Sequence, residues 1–185
     1  TFVVFSGDVL TDINLAKALS FHKQKGALAT IVLTRVTNPT DYGIVITENP
    51  GQIRKFLEKP SWGEVFSDTI NSGIYILEPE ALKHVRTDME FDFSKHLFPA
   101  LLELGEPLFG YAADGYWCDI GNLEQYMQSS QDVMMGLAKI EPLGIKMKED
   151  IWIGKGVFIH PEAKITGPAI IGQHARIEAN AEIDE

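Results

Sequence analysis

Apolar residues run along this chain in short stretches broken by polar, glycine or proline positions. Thr1-Phe2-Val3-Val4-Phe5 is a continuous apolar run, the pattern of a strand buried on both faces. Thr11-Asp12 then offers a helix N-cap, Leu15, Ala18, Leu19 and His22 follow at helical spacing, and Gly26 stops the helix. Ala27 to Val36 predicts a second buried strand, and Ile44 to Thr47 with Ile53 to Leu57 a hairpin-like pair around Asn49-Pro50-Gly51. Ile70 to Leu77 predicts a strand and Pro79 to Val85 a short helix. Phe93 to Leu104 predicts a longer helix closed by Gly105, with Pro99 kinking it or marking its start. Leu108 to Ala112 and Tyr116 to Asp119 are expected as a final strand pair, and Leu123 to Met135 as a helix with Gly136 behind it. This alternation predicts an α/β fold whose mostly parallel sheet is covered by helices on both faces.

Beyond Pro142 and Gly144 the pattern changes. Ile153, Ile159, Ile165, Ile171, Ile177 and Ile183 recur every sixth residue, and Val157, Ala163, Ala169, Ala175 and Ala181 stand four positions after each of the first five. No helix or ordinary strand has that period. It is the hexapeptide repeat of a left-handed parallel β-helix, in which isoleucines stack inside and small residues fit the corners. Two domains are therefore expected, 1–140 and 141–185, the second holding one and a half to two coils and no capping sequence.

Composition narrows the function classes. With 45% hydrophobic and 23% charged residues among 185, the chain is of ordinary globular make-up, and no apolar run approaches the roughly 18 residues of a membrane span. A net charge of −10 argues against a nucleic-acid surface and requires that an anionic substrate be met by local positive charge and metal. The one cysteine, Cys118, excludes an internal disulfide and fits a reducing cytoplasmic compartment. His22, His84, His96, His160 and His174 fall in no metal-ligand spacing and are expected as surface or partly packed side chains.

Four segments place polar groups at the ends of strand-like runs, where an open α/β sheet presents its ligand crevice. They are Ser6-Gly7-Asp8, Phe56-Leu57-Glu58-Lys59-Pro60, Ile70-Asn71-Ser72-Gly73 and Trp117-Cys118-Asp119-Ile120-Gly121-Asn122. An aspartate after a strand is commonly a cap or turn residue. Glu58-Lys59 taken alone describes many charged turns, and Pro60 ends the strand. Asn71 stands in an otherwise apolar strand, where its amide needs partners; a sugar hydroxyl or a backbone turn would supply them. Trp117 either packs beside a ligand or fills core.

Taken together and in this order, the segments resemble the NTP:sugar-1-phosphate nucleotidyltransferases, of the mannose-1-phosphate guanylyltransferase and glucose-1-phosphate thymidylyl- or uridylyltransferase kind. The resemblance implies a partial Rossmann-like (GT-A-like) nucleotidyltransferase sheet followed by the start of the β-helix. It implies Asp8 and Asp119 as ligands of Mg2+, Lys59 for the sugar phosphate, Glu58 for the ring, and Gly43 and Asn71 as further sugar-binding positions. Catalytic roles then fall to Asp8, Lys59 and Asp119. The substrates would be a nucleoside triphosphate and a hexose 1-phosphate. Phe91-Asp92-Phe93-Ser94-Lys95 and the repeat tail are similar to guanylyltransferases, which points to GTP and mannose 1-phosphate. Asn122 stands where many relatives have Thr.

The family's glycine-rich nucleotide loop is not found in the sequence, so the chain is expected to be an internal piece of a longer enzyme. The isolated piece is expected to be inactive, and to form homo-oligomers or to associate with the missing N-terminal portion. Two other readings remain open. One is a non-catalytic regulatory subunit of the same fold that binds a sugar nucleotide. The other is an acyltransferase-like protein acting through its hexapeptide coils, with His160 or His174 as base.

Overall fold

A computed structural model describes residues 1–48, 50–65, 67–148 and 150–184, with Trp62 described by its backbone alone. In chain order the elements are β1 (Phe2–Phe5), β2 (Val9–Thr11), α1 (Leu15–Lys25), β3 (Ala29–Arg35), β4 (Ile44–Glu48), β5 (Gln52–Leu57), β6 (Thr69–Leu77), α2 (Phe98–Glu103), β7 (Leu108–Ala112), β8 (Trp117–Asp119) and α3 (Leu123–Met134). Seven short strands follow: β9 (Ile145–Lys148), β10 (Ile151–Ile153), β11 (Phe158–Ile159), β12 (Lys164–Ile165), β13 (Ala169–Ile171), β14 (Arg176–Ile177) and β15 (Glu182–Ile183). They form two compact units, Thr1–Val9 with Ile13–Trp117, and Leu10–Asp12 with Cys118–Glu185.

The first unit is a six-stranded sheet in the order β1-β6-β3-β7-β5-β4, and β4 also meets β6 at Ile44 opposite Ile70. Ladder directions place β1, β3, β7 and β4 one way and β6 and β5 the other, so four of the six strands share a direction, in keeping with the alternation of strands and helices. Only β3 and β7 meet as a parallel pair, because β6 inserts between β1 and β3. The two faces carry separate cores. Ala29, Ile31 and Leu33 of β3 join Tyr75, Leu77, Leu97, Phe98 and Leu101 on the α2 face, while Val32, Ile74 and Ile76 join Ile13 and Ala18 on the α1 face. Period-two alternation along β3 and β6 thus feeds both cores at once.

Several boundaries differ from expectation. Asn14 caps α1, its Oδ1 accepting from Lys17 N–H at 3.1 Å, in place of Thr11-Asp12. Gly26 ends the helix in the left-handed region, φ 57°. Pro79–His84 winds as 3-10 helix. Phe93–Leu97 is a π turn leading into α2, with Pro99 in the first turn of α2, where its missing N–H costs nothing. Of the predicted turn Asn49-Pro50-Gly51, Asn49 lies outside the described residues. β7 and β8 do not pair with each other: β7 joins β3 and β5 in the main sheet, and β8 pairs with β2. His22 is not a surface residue but is buried, with Nδ1 2.8 Å from Thr30 Oγ1 and Nε2 3.2 Å from Glu78 Oε1.

The second unit realises the hexapeptide period. Ile151 lies opposite Ala169, Phe158 opposite Arg176 and Lys164 opposite Glu182, all in parallel ladders with an offset of 18 residues, or three hexapeptides per coil. Ile171 and Ile177 are buried, whereas Lys164 and Glu182 pair outside at 2.7 Å. β9 pairs antiparallel with the free side of β10.

Candidate active site

The site grows from an irregularity in β6. Opposite β3, Tyr75 pairs with Ile31 but Asn71 with Leu33, so β6 advances four residues where β3 advances two. This is a bulge around Ser72-Gly73-Ile74, a device that re-aims side chains near functional sites. Gly73 has φ 76°, a conformation other residues adopt at a cost, and a Cβ there would come within 2.7 Å of Ser6 Oγ. A bulge breaks the ladder, and the buried main-chain groups it frees must find partners. Here they do. Ser72 Oγ donates to the Val32 carbonyl at 2.8 Å, and Trp117 Nε1 donates to the Ser72 carbonyl at 2.9 Å. Ser6 N–H donates to the Gly73 carbonyl at 3.0 Å, and Gly73 N–H to Asn71 Oδ1 at 3.0 Å. Trp117 is half-buried, edge-on to Tyr42, and its indole N–H serves the bulge.

Two groups of expected site residues attach to this bulge. The Ser6–Val9 turn, closed by Val9 N–H donating to Ser6 O at 3.3 Å, carries Asp8 exposed to solvent. Asn71 N–H donates to the Gly43 carbonyl at 2.7 Å, and Lys59 N–H to the Tyr42 carbonyl at 3.2 Å. Gly43, Glu58, Lys59 and Asn71 are thereby held together by main-chain bonds across neighbouring strand ends. Gly43 is buried, and the space its missing side chain leaves is filled: a Cβ would sit 2.6 Å from Glu58 Oε2 and 3.0 Å from Phe56 Cζ. A side chain here would push the Glu58 carboxylate aside, so glycine serves the approach of that carboxylate and not a turn.

Glu58 Oε2 is buried and has no hydrogen-bond partner among the described residues. Burial, and then the neighbouring Asp92 charge, push the Glu58 carboxyl above the ordinary carboxylate range, opposed by Lys59 and Lys95. Lys59 is exposed and stands at φ 45°, a left-handed conformation that costs a non-glycine residue about 1 kcal/mol or more. Such a cost persists only where the surroundings enforce it, and buried Pro60 follows directly.

Asn71 is more engaged than its sequence context suggests. Its Nδ2 donates to Tyr75 Oη and to Ser94 Oγ, each at 3.0 Å, while Oδ1 accepts from Gly73. Tyr75, Ser94, Asp92 and Lys95 were not legible as site residues. Asp92 does carry a local signal as the cap of the Phe93–Leu97 turn, accepting from Lys95 N–H at 2.9 Å. Nothing local marks Ser94 as a partner of Asn71. Burial raises the Tyr75 hydroxyl pKa above its ordinary value.

Asp119 belongs to the second unit. It is half-buried at the end of β8, with Oδ2 turned toward Gly121, where a Cβ would lie 3.7 Å away. Asn122 caps α3, its Oδ1 accepting from Gln125 N–H at 2.9 Å while Gln125 Oε1 accepts from Gly121 N–H at 3.0 Å. Asn and Thr both cap helices through a side-chain oxygen, so Asn122 leaves this turn intact. His160 Nδ1 accepts from Glu162 N–H at 3.2 Å, and His174 is exposed at φ 58°. Among the described residues no group of three or more His, Cys, Asp or Glu could hold a metal ion, and no helix is long and apolar enough to cross a membrane.

Comparison with known proteins matches this architecture. A family model described as nucleotidyl transferase matches residues 1–135, and one described as bacterial transferase hexapeptide (six repeats) matches residues 150–185. A UTP–glucose-1-phosphate uridylyltransferase of Synechocystis is 37% identical over 99% of this chain and 48% of its own length. A mannose-1-phosphate guanylyltransferase of Mycobacterium tuberculosis is 32% identical over 100% of this chain and 51% of its own. The chain spans about half the length of these curated relatives. A UTP-bound UGPase of Acinetobacter baumannii superposes with a TM-score of 0.62 at 22% identity, covering 72% of this chain and 50% of that one, which supports the fold. With the model match extending through the sheet, the Asn71 bulge and the Asp119 turn, the chain belongs to the nucleotidyl transferase family and carries hexapeptide repeats behind it.

Proposed function

We propose that the protein transfers a nucleotidyl group from a nucleoside triphosphate to a hexose 1-phosphate, yielding an NDP-sugar and pyrophosphate. The observation that carries this reading is that main-chain bonds bring Gly43, Glu58, Lys59 and Asn71 to neighbouring strand ends, with Glu58 Oε2 buried against Gly43 and without a hydrogen-bond partner among the described residues, in a chain of the nucleotidyl transferase family. A sugar is a set of hydroxyl donors beside a phosphate, and this cluster offers acceptors beside a lysine.

In this reading Lys59 meets the sugar's phosphate, Glu58 and Asn71 meet hydroxyls, and the Gly43 main chain lets the ring come close. A sugar-phosphate oxygen attacks the α-phosphorus in line. The new P–O bond forms as the bond to the β-phosphate oxygen breaks, and pyrophosphate leaves with that electron pair. The protein's part is positioning and charge neutralisation, without a covalent intermediate.

Asp8 and Asp119 are each proposed as an oxygen donor to Mg2+. Carboxylate oxygens suit a hard cation that takes one or two protein ligands and completes its shell from phosphates and water. When bound, such an ion offsets the repulsion between substrate phosphates.

The finer reading is GTP with mannose 1-phosphate, supported by the Phe91–Lys95 stretch and the repeat tail; UTP with glucose 1-phosphate is the choice named for the Synechocystis relative. A cytoplasmic location and assembly through the hexapeptide coils complete the proposal. The test is an assay of the full-length protein with GTP, UTP and dTTP, each against mannose and glucose 1-phosphate. Formation of an NDP-sugar from at least one pair is expected, with GTP and mannose 1-phosphate the fastest. Failure of all pairs in the presence of magnesium would remove the reaction, and a faster uridylyl transfer would remove only the base assignment.

A further inference from the structure

The hydrogen bonds around Asn71 determine what its amide can offer. Gly73 N–H can only donate, so the atom facing it must be Oδ1, and that settles the orientation of the amide. Nδ2 then faces two hydroxyl oxygens, Tyr75 Oη and Ser94 Oγ, both at 3.0 Å. An amide nitrogen has two protons, matching these two oxygens in number. Oδ1 has two lone pairs, of which Gly73 takes one.

We propose that Asn71 meets the sugar as a hydrogen-bond acceptor only, and that Tyr75 and Ser94 are positioning residues that impose this by occupying both amide protons. The proposal rests on the sugar-phosphate reading above and deepens it. A single accepting lone pair selects for a sugar hydroxyl as donor and rejects a group at the same ring position that can only accept. Tyr75 is well placed to hold its end rigidly: it is buried, and its ring packs edge-on against Phe98 at 4.9 Å and tilted against Phe93 at 6.0 Å. Ser94 arrives from the π turn Phe93–Leu97, whose N-terminus Asp92 caps. The clamp therefore joins the β6 bulge to a separate segment 23 residues further along the chain.

The test combines two readouts. In this chain, NMR should show the Asn71 side-chain amide protons exchanging slowly with solvent, and Ser94→Ala should speed the exchange of one of them. In the full-length protein, Ser94→Ala should raise KM for the sugar 1-phosphate by about three- to tenfold, the worth of one neutral hydrogen bond, with KM for the triphosphate unchanged. Ser94→Thr should restore the parent value. Deoxyfluoro sugar phosphates, in which an acceptor replaces one hydroxyl, should be discriminated against by the parent at one ring position. Ser94→Ala and Tyr75→Phe should narrow that discrimination, because an amide no longer held at both protons can turn to offer an N–H to fluorine. Tyr75→Phe keeps the ring packing and guards against a Ser94 effect that is merely local. Rapid exchange in the parent, or unchanged fluoro discrimination in both variants, overturns the clamp while leaving the sugar-phosphate reading intact. A slow-exchanging amide in a protein that turns over no sugar phosphate overturns that reading, and the acceptor role with it.

Discussion

The sheet unit and the coil unit solve the problem of order in opposite ways. In the coils each sixth position does the same job, and a residue's neighbour lies 18 positions away by a fixed rule, as Ile153 opposite Ile171 and Ile159 opposite Ile177 illustrate. In the sheet no position is repeated, and the feature that builds the site is the break in the β3–β6 ladder at Ser72-Gly73. Repetition spreads stability over equivalent contacts. An irregularity concentrates it: Ser6, Val32, Trp117 and Asn71 all serve one bulge. The difference teaches where function can be expected, since a bulge presents groups that a regular ladder would consume.

The largest effects should come from the unrepeated carboxylates. Asp8→Asn and Asp119→Asn, each in the full-length protein under saturating magnesium, are expected to lower turnover by orders of magnitude with far-ultraviolet circular dichroism unchanged. Activity within about twofold of the parent would remove the residue concerned from the metal assignment.

Core truncations sharpen the contrast in stability. Phe98, fully buried among Phe56, Tyr75 and Phe93, should cost the sheet unit about 3–5 kcal/mol as Phe98→Ala. Ile177→Ala in the coil removes a smaller side chain whose stacking is repeated by its neighbours, and about 2–4 kcal/mol is expected. Hydrogen exchange read strand by strand checks both. Loss of protection in β3 and β6 on Phe98→Ala, and in β11 and β14 on Ile177→Ala, is the expected pattern; the reverse would sink the comparison.

Lys59→Ala should raise KM for the sugar 1-phosphate by roughly tenfold or more while sparing the triphosphate, because a charge-assisted contact is worth about 1.5–3 kcal/mol. Steady-state kinetics with each substrate varied in turn will tell. A change confined to the triphosphate would place Lys59 on the wrong ligand.

The smallest effect is a gain. The Glu58 carboxyl has its pKa raised by burial and by Asp92, so the fold favours its protonated form. Stability from this group is present below the unfolded-state pKa and is lost as pH rises through the raised folded-state value. Glu58→Gln should therefore melt slightly higher than the parent at neutral pH, by a few degrees at most, since about 1 kcal/mol moves Tm roughly 2–4 °C in a domain of this size. The gain should vanish in acid. A variant less stable than the parent at neutral pH would show that the carboxylate is a net asset to the fold.

The elements themselves were largely legible, because hydrophobic period is a local property. The six-residue spacing of isoleucines could be read without coordinates, and so could α1 from Leu15 to His22, the stop at Gly26 and the position of Pro99 at a helix start. The polar motifs Ser6-Gly7-Asp8, Glu58-Lys59 and Asn71 stood out for the same reason, as breaks in apolar runs. Cap choice was less legible, since Thr11, Asp12 and Asn14 are all competent and only the direction of the entering chain decides among them.

Neighbour relations across the fold were not legible. That β6 inserts between β1 and β3, or that β8 pairs with β2 and not with β7, follows from which faces find a core, and many registers share the same pattern of polar and apolar residues. The same holds for the site. Its residue types were written in the chain, but the buried Glu58 oxygen against Gly43, without a hydrogen-bond partner among the described residues, arises only when segments 15 residues apart meet. Likewise the Asn71 amide nitrogen finds its two hydroxyl partners only when Tyr75 and Ser94 arrive. By itself the sequence determined period, composition and the chemistry available. Only the tertiary structure decided which of those groups are already satisfied and which remain free, because hydrogen bonding saturates and depends on partners that the chain brings in from a distance.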